Sequence, residues 1–140
     1  MSMTNIVFEI NTLVDFLYKK EGHEKVAEIL SACSKKEIKG FVCAHEIPSL
    51  VNFLKKSIKD KTKIKKSISG IFKLFTTIEI TETLLNKALL SETEDFETAL
   101  IEVLAIKKKA GYILTRDPES FKKSVVRAVT PEELLGILHI

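Results

Sequence analysis

Short segments of strand character alternate with longer segments of helical period along the whole chain. The predicted strands are residues 5–8, 41–44, 76–80, 112–115 and 125–129. Between them, apolar residues recur every three or four positions, which predicts amphipathic helices. Such alternation is typical of a mostly parallel sheet with helices on both faces. We therefore expect an α/β fold, a three-layer α/β/α sandwich around a central sheet of four or five strands.

Several predicted helices begin at capping residues. Asn11 is expected to cap the first helix and Thr81 a later one, because their side-chain oxygens can accept a hydrogen bond from a free backbone N–H. Thr130 and Glu133 form a predicted capping box at the start of the last helix. Three helices are expected to stop at glycines, Gly22, Gly40 and Gly111. The other helices are predicted over residues 24–34, 46–57, 61–74, 82–89 and 95–109.

The composition is that of a folded protein rather than a disordered one. The 140 residues suit a single domain over residues 1–140, and 45% of them are hydrophobic. The two cysteines are too few for a disulfide framework, which favours a reducing compartment and a cytoplasmic location. No apolar run approaches the length of a membrane span, and the N-terminus lacks the basic and apolar regions of a signal peptide.

The charges are unevenly distributed, although the net charge is only +3. Residues 55–66 contain seven lysines and one acid, whereas residues 79–102 contain seven acids and one lysine. A basic stretch beside an acidic cluster would suit a polyanion held next to a metal site. The alternative is that both stretches are solvated helix faces.

Three acidic residues fall where a parallel sheet would bring them together. Glu9 and Asp117 end two predicted strands, and Asp95 opens the helix before the second of them. The carboxyl ends of parallel strands face the ligand crevice. Converging carboxylates indicate a hard divalent cation, Mg²⁺ or Mn²⁺. The alternatives are a solvent-facing Glu9 and an Asp117 that only caps the turn after its strand.

A polar stripe follows one side of the helix predicted over residues 95–109. Asp95, Thr98 and Glu102 fall within an arc of roughly 60° at the border of its apolar face. We expect this stripe to look toward the ends of the first and fourth strands, and an exposed helix edge is the alternative. No glycine-rich phosphate loop and no histidine spacing for a metal is present, and Cys33 and Cys43 are expected in the core.

Four segments together resemble PIN-domain nucleases. They are residues 7–15 (VFEINTLVD), 95–100 (DFETAL), 112–117 (YILTRD) and 130–135 (TPEELL). The resemblance implies a Mg²⁺- or Mn²⁺-dependent ribonuclease. Many members are the toxins of toxin–antitoxin pairs, so it also implies RNA as substrate, an antitoxin protein as partner and a homodimer.

The acidic positions depart from the family pattern at three of four places. The resemblance implies aspartates where this chain has Glu9 and Thr98, and an acid where it has Ser49. Only Asp117 is of the usual residue type at its position. Neighbouring acids about one helical turn away could substitute, and polar neighbours could support them. These possible substitutes and supporting residues are Asp95, Glu102, Glu46, Asn11, Thr98 and Thr115.

These residues lead to two main hypotheses. In the first, the chain is a ribonuclease with weakened catalysis, in which Glu9, Asp95, Asp117 and Glu102 hold the metal. Lysines and one arginine would bind the RNA backbone: Lys55, Lys56, Lys59, Lys63, Lys66 and Arg116. In the second, the chain keeps the PIN fold without catalysis and binds RNA or a protein. A receiver-like phosphoryl-transfer domain is a minor third alternative.

Overall fold

Five parallel strands form the central sheet of the computed structural model, which describes residues 3–138. They are β1 (Thr4–Phe8), β2 (Ile38–Cys43), β3 (Thr76–Ile78), β4 (Tyr112–Leu114) and β5 (Arg127–Val129). Their order is β3-β2-β1-β4-β5, and every neighbouring pair is parallel. The predicted α/β class and parallel sheet are confirmed.

Seven α-helices accompany the sheet in the described part of the chain. They are α1 (Ile10–Leu17), α2 (His23–Ser34), α3 (Ile47–Lys55), α4 (Lys61–Leu74), α5 (Glu82–Leu89), α6 (Phe96–Lys107) and α7 (Pro131–Leu138). Two 3₁₀ turns, Ala44–Glu46 and Pro118–Phe121, follow the ends of β2 and β4. The predicted bounds of α4 and α5 are confirmed, and the other helices are within a few residues of their predictions.

The capping predictions hold at two helices and fail at the first. Thr81 Oγ1 accepts from the Leu84 N–H, and Thr130 and Glu133 form the reciprocal capping box. At α1 the capping position is occupied by Glu9, and Asn11 lies in the first turn. The prediction for Asn11 is therefore wrong. Its amide Nδ2 donates to Glu9 Oε1 at 2.7 Å instead of capping the helix.

Lysines, not glycines, end α2 and α6. Lys36 and Lys109 have φ angles of 61° and 53°, the left-handed conformation that closes a helix. The predicted stops at Gly40 and Gly111 are wrong. Gly40 lies inside β2, where an added Cβ would come within 2.8 Å of two ring carbons of Phe75. This glycine is needed for packing and not for a turn.

Both faces of the sheet are buried by helices. Val7 of β1 packs with α5 and α6 on one face, and Ile6 and Phe8 pack with α1 and α2 on the other. Both cysteines are free and buried, as predicted. Within residues 3–138, no helix has the length and apolar character to cross a bilayer. The segments that follow β1, β2 and β4 meet at the carboxyl edge of the sheet, where the predicted site lies.

Candidate active site

Glu9 lies at the centre of this edge, directly after β1. It is half-buried, and its Oε1 accepts hydrogen bonds from Thr115 Oγ1 at 2.5 Å and Asn11 Nδ2 at 2.7 Å. The contact with Thr115 follows from the pairing of β1 with β4. Burial raises the pKa of Glu9, and Asp117 raises it further, whereas the two hydrogen bonds and Arg116 lower it. Glu9 is thus held in place by Asn11 and Thr115, two of the residues predicted to support or substitute for the acids.

Glu46 forms a pair with Glu9. It ends the 3₁₀ turn after β2, and its Oε1 accepts from the Ile10 N–H at 3.3 Å. Burial raises the pKa of Glu46 to about 8, and the charge of Glu9 adds to the effect. Burial also raises the pKa of the Cys43 thiol, and the two glutamates contribute to that rise. These couplings and the partial burial of both side chains place the two carboxyl groups near each other.

Asp117 completes the group from the side of β4. It is exposed, its backbone N–H donates to Thr115 Oγ1 at 3.0 Å, and its Oδ2 accepts from Ser120 Oγ at 2.5 Å. Its charge raises the pKa of Glu9, so the two acids are near each other. Thr115 bridges them, since its hydroxyl donates to Glu9 and accepts from Asp117. Glu9 and Asp117 therefore lie near each other at this edge, and their part in a metal site stays a prediction.

Two further residues near Glu46 were not selected from the sequence. Glu97, exposed in the first turn of α6, raises the pKa of Glu46. His45 is half-buried and both ring nitrogens lack a hydrogen-bond partner among the described residues. Burial lowers the pKa of His45, while Glu97 opposes that shift. Glu97 lies in the first turn of α6, so its exposed side chain is near enough to Glu46 to affect that pKa.

Asp95 is an N-cap in this structure. Its Oδ2 accepts from the backbone N–H of Thr98 at 3.0 Å and from Thr98 Oγ1 at 2.8 Å. Asp95 and Ser120 line the same surface cavity, and Ser120 donates a hydrogen bond to Asp117. Asp95 and Asp117 are therefore on either side of Ser120. It does not contribute to the pKa shift of Glu9 or of Glu46.

Glu102 faces away from the carboxyl edge. Its Oε1 accepts from Ser91 Oγ at 2.6 Å and Thr93 Oγ1 at 3.1 Å, and its Oε2 accepts from the Val125 N–H at 2.8 Å. Val125 precedes β5, so this contact lies toward the opposite edge of the sheet. The predicted direction of the polar stripe is therefore wrong for Glu102, because the wheel could not show the loops that donate to it.

The predicted RNA-binding side chains are at the surface. The five lysines of the set lie at the end of α3, in the following loop and on α4, and all are exposed. Arg116 lies next to Asp117, and its Nη1 is 2.7 Å from Asp15 Oδ1. Its guanidinium therefore has a protein partner already.

The model of the PIN domain family matches residues 5–119. The chain belongs to the PIN domain family. A comparison with curated proteins found no match. Among solved structures, the chain is similar to a toxin–antitoxin complex from Klebsiella pneumoniae, with 17% identity, a TM-score of 0.68, and 90% of this chain and 97% of that chain covered.

Two other solved structures show the same likeness. VapBC2 from Rickettsia felis, bound to a DNA fragment from its promoter, has 15% identity and a TM-score of 0.67, covering 91% of this chain and 98% of that chain. PAE2754 from Pyrobaculum aerophilum has 18% identity and a TM-score of 0.65, covering 99% and 97%. At these identities the likeness establishes the PIN fold.

The donors of this PIN domain suit a hard divalent cation. Within residues 3–138, no group of three or more His, Cys, Asp or Glu side chains is arranged to hold a metal ion. The pair of Glu9 and Glu46 is accompanied by a third oxygen, Asn11 Oδ1, which is buried and has no hydrogen-bond partner among these residues. Mg²⁺ is commonly held by one or two carboxylates and keeps several waters. Two carboxylates and an amide oxygen therefore fit it.

Proposed function

We propose that this PIN domain is a Mg²⁺- or Mn²⁺-dependent endoribonuclease of the toxin type with weakened catalysis. The observation that carries the proposal is the pair of Glu9 and Glu46 beside the unpartnered Asn11 Oδ1. Two half-buried carboxylates side by side repel each other, and a divalent cation between the two groups would offset this repulsion. The PIN fold and the position at the carboxyl edge of a parallel sheet support the same reading.

Each residue of the proposed site has a separate task. Glu9, Glu46 and Asn11 would hold the cation, which supplies charge stabilisation at a phosphate and a site for an activated water. Asp117 is exposed beside Glu9 and would orient the attacking water from the solvent side. Thr115 positions both acids through its two hydrogen bonds.

The remaining acids of the predicted set have other contacts. Asp95 caps α6, and we propose for it a place at the border of the site, through Ser120. Glu102 stays outside the proposed set because its oxygens already accept three hydrogen bonds on the other side of α6. Among the predicted substitutes, we therefore propose Glu46 as the main one.

The exposed lysines of α3 and α4 would bind the RNA backbone. They are long, mobile cations, which suits a contact that does not depend on base sequence. Such binding must weaken as the salt concentration rises, because each phosphate contact releases counterions.

The test is an RNA cleavage assay with Mn²⁺, comparing the wild type with Glu9→Gln and Asp117→Asn. We expect cleavage that needs the metal and a loss of at least about 100-fold in rate for both variants. Glu92→Gln, an exposed acid outside the site, is the matched control and should cleave like the wild type. Absence of cleavage by the wild type, or equal rates in all four proteins, would contradict the proposal.

A second candidate is a PIN-fold binding module without turnover. It is favoured by the pKa of Glu46 near 8, which leaves this carboxyl protonated at neutral pH without a cation. The two candidates differ in a Mn²⁺ titration followed by thermal unfolding. A ligand that binds only the folded state raises its stability, so the nuclease gains Tm with Mn²⁺ and the binding module does not.

We also propose a partner protein of the antitoxin type. Two of the similar structures are described as toxin–antitoxin complexes or as a VapBC pair. A short open reading frame just upstream of the gene would supply this partner. Co-expression should then yield a stable complex in which RNA cleavage is inhibited. Co-expression without a complex would remove this part of the proposal.

A further inference from the structure

The edge of the sheet opposite the carboxylates is strongly basic. Because all five strands are parallel, they all begin at this amino edge. Six cations from three separate segments lie there, and we call them the amino-edge patch: Lys36, Lys39, Lys107, Lys108, Lys109 and Arg127. Glu37 is the one acid in the segments 36–39 and 107–112.

The register of the sheet sets the positions of these cations. Lys39 of β2 pairs with Asn5 of β1, and Arg127 of β5 pairs with Tyr112 of β4. Asn5 also accepts from the Gly111 N–H at 2.8 Å, and its Nδ2 donates to the Lys108 carbonyl at 2.8 Å. These two hydrogen bonds tie the loop that contains Lys107, Lys108 and Lys109 to β1. The patch spans about three strand spacings, or roughly 14 Å.

Few acids accompany the cations of the patch: Glu37 lies in the same segment as Lys36 and Lys39, and Glu133 is near enough to Arg127 for its pKa to be lowered. Lys39 Nζ and Lys108 Nζ lie 5.3 Å and 6.0 Å from the centre of the same ring, that of Phe41, and the Arg127 guanidinium lies 5.9 Å from that of Tyr112. None of the six forms an ion pair with a carboxylate of residues 3–138. A local excess of cations over acids suits an external polyanion.

Two lysines of the patch occupy positions that favour glycine. Lys36 and Lys109 have positive φ angles, where a side chain is disfavoured. Lysine near a helix C-terminus complements the helix dipole, which would explain these two residues by themselves. It does not explain Lys39 and Arg127, which lie on strands. A common function of the whole patch explains both pairs.

We propose that the amino-edge patch is a second binding surface for the phosphodiester backbone of a nucleic acid, separate from the acidic site and from the lysines of α3 and α4. An excess of cations along one edge of the sheet matches such a backbone. An anionic membrane surface is less well matched, because the cations lie on loops and strands and not along an amphipathic helix.

The test is binding of a labelled single-stranded RNA, followed by fluorescence anisotropy in EDTA, so that cleavage plays no part. The edge variant combines Lys36→Gly, Lys39→Gln, Lys107→Gln and Lys109→Gly in the full chain. The two glycines suit the left-handed backbone and should preserve the fold, which thermal unfolding verifies. We expect Kd to rise at least about tenfold at 50 mM salt and the salt slope to fall by about two.

The matched control combines Lys19→Gly, Lys20→Gln, Lys25→Gln and Lys122→Gln. It removes the same charge, and Lys19 also has a positive φ. This control should bind RNA like the wild type. Equal affinity of the edge variant and the control would overturn the proposal. Binding of phosphatidylserine vesicles that needs the patch, without binding of RNA, would also overturn it.

Two further arms identify the source of the phosphodiester and the independence of the patch. Binding of DNA of the same sequence shows whether the 2′-hydroxyl of RNA contributes to affinity. Either result is consistent with recognition of the phosphodiester backbone that the two nucleic acids share. A variant with Lys55, Lys59, Lys63 and Lys66 all changed to Gln should keep the binding that depends on the patch. Loss of all RNA binding in that variant would contradict a separate surface.

Discussion

Two glutamates inside this fold differ in the number of donors around them. Glu102 is 3% exposed, and two hydroxyl groups and one backbone N–H donate to its oxygens. Glu46 is half-buried, accepts a single N–H at 3.3 Å and faces the carboxylate of Glu9. The first environment is built for a negative charge, and the second opposes one.

The difference shows that burial alone does not identify a functional carboxylate. A buried acid with all its hydrogen bonds made can join loops, as Glu102 joins the segment before α6 to the segment before β5. An acid with few donors and an acidic neighbour has a shifted pKa and is ready for an external cation. The number of hydrogen-bond donors around a carboxylate and the charge of its neighbours therefore identify a functional acid better than burial does.

The largest expected effect that separates the two glutamates is the loss of Glu102. Glu102→Ala leaves the hydroxyls of Ser91 and Thr93 and the N–H of Val125 without their acceptor in the protein interior. We expect the free energy of unfolding to fall by about 3 kcal/mol. Urea denaturation measures it.

The control for this variant is Glu92→Ala, which changes an exposed acid in the same loop. It should alter the free energy of unfolding by less than about 0.5 kcal/mol. A Glu102→Ala protein as stable as the control would remove the structural role and with it the contrast to Glu46.

The next effect is the pH dependence caused by Glu46. The folded protein keeps a proton on this carboxyl up to about pH 8, whereas the unfolded chain releases it near pH 4.5. Between these values the folded state binds more protons, so stability falls as pH rises from about 5 to 8. Glu46→Gln should reduce this fall, with the raised pKa of Glu9 accounting for the rest, and at pH 8 we expect it to be more stable by about 2 kcal/mol, after allowance for solvent screening.

Thermal unfolding across pH 5–9 in EDTA makes the comparison. The two proteins should agree at pH 5, where Glu46 is neutral in the folded state. Parallel pH profiles for wild type and Glu46→Gln would show that the charge of Glu46 is not opposed by its surroundings.

The smallest effect concerns Asp95, a carboxylate that is exposed and caps a helix. Asp95→Ala should cost about 1 kcal/mol of unfolding free energy, and Asp95→Asn much less, because asparagine is an equally good N-cap. Mn²⁺ affinity, measured by calorimetry, should be nearly unchanged in Asp95→Asn. A loss of affinity comparable to that in Glu9→Gln would place Asp95 among the ligands.

Much of the fold was predictable because its signals are local. The bounds of α4 and α5 follow from period and capping, and the capping box of Thr130 and Glu133 needs only four residues. The prediction that Gly40 ends a helix was wrong because a glycine is needed there to make room for the ring of Phe75, 35 positions away in the sequence. A glycine that makes room for a distant side chain looks the same in a sequence as one that ends a helix.

The site was predictable where strand ends define it. Glu9 and Asp117 follow the neighbouring strands β1 and β4, and Thr115 hydrogen-bonds to the Glu9 carboxylate and to the Asp117 N–H. Glu46 was selected only as a substitute, and Glu97 was left out, since their proximity depends on how α6 packs against the turn after β2. The donors of Glu102 come from two loops, whose paths no periodicity reveals.

The all-parallel sheet also has a consequence for how the chain folds. No pair of neighbouring strands can form from a local hairpin, because each parallel pair needs a crossover. β1 is made first and receives β2 on one side, but the partner of Phe8 on its other side is Leu114, more than 100 residues later. During synthesis, one edge of the central strand thus waits for nearly the whole chain, and folding should be slow and open to wrong pairings until β4 emerges.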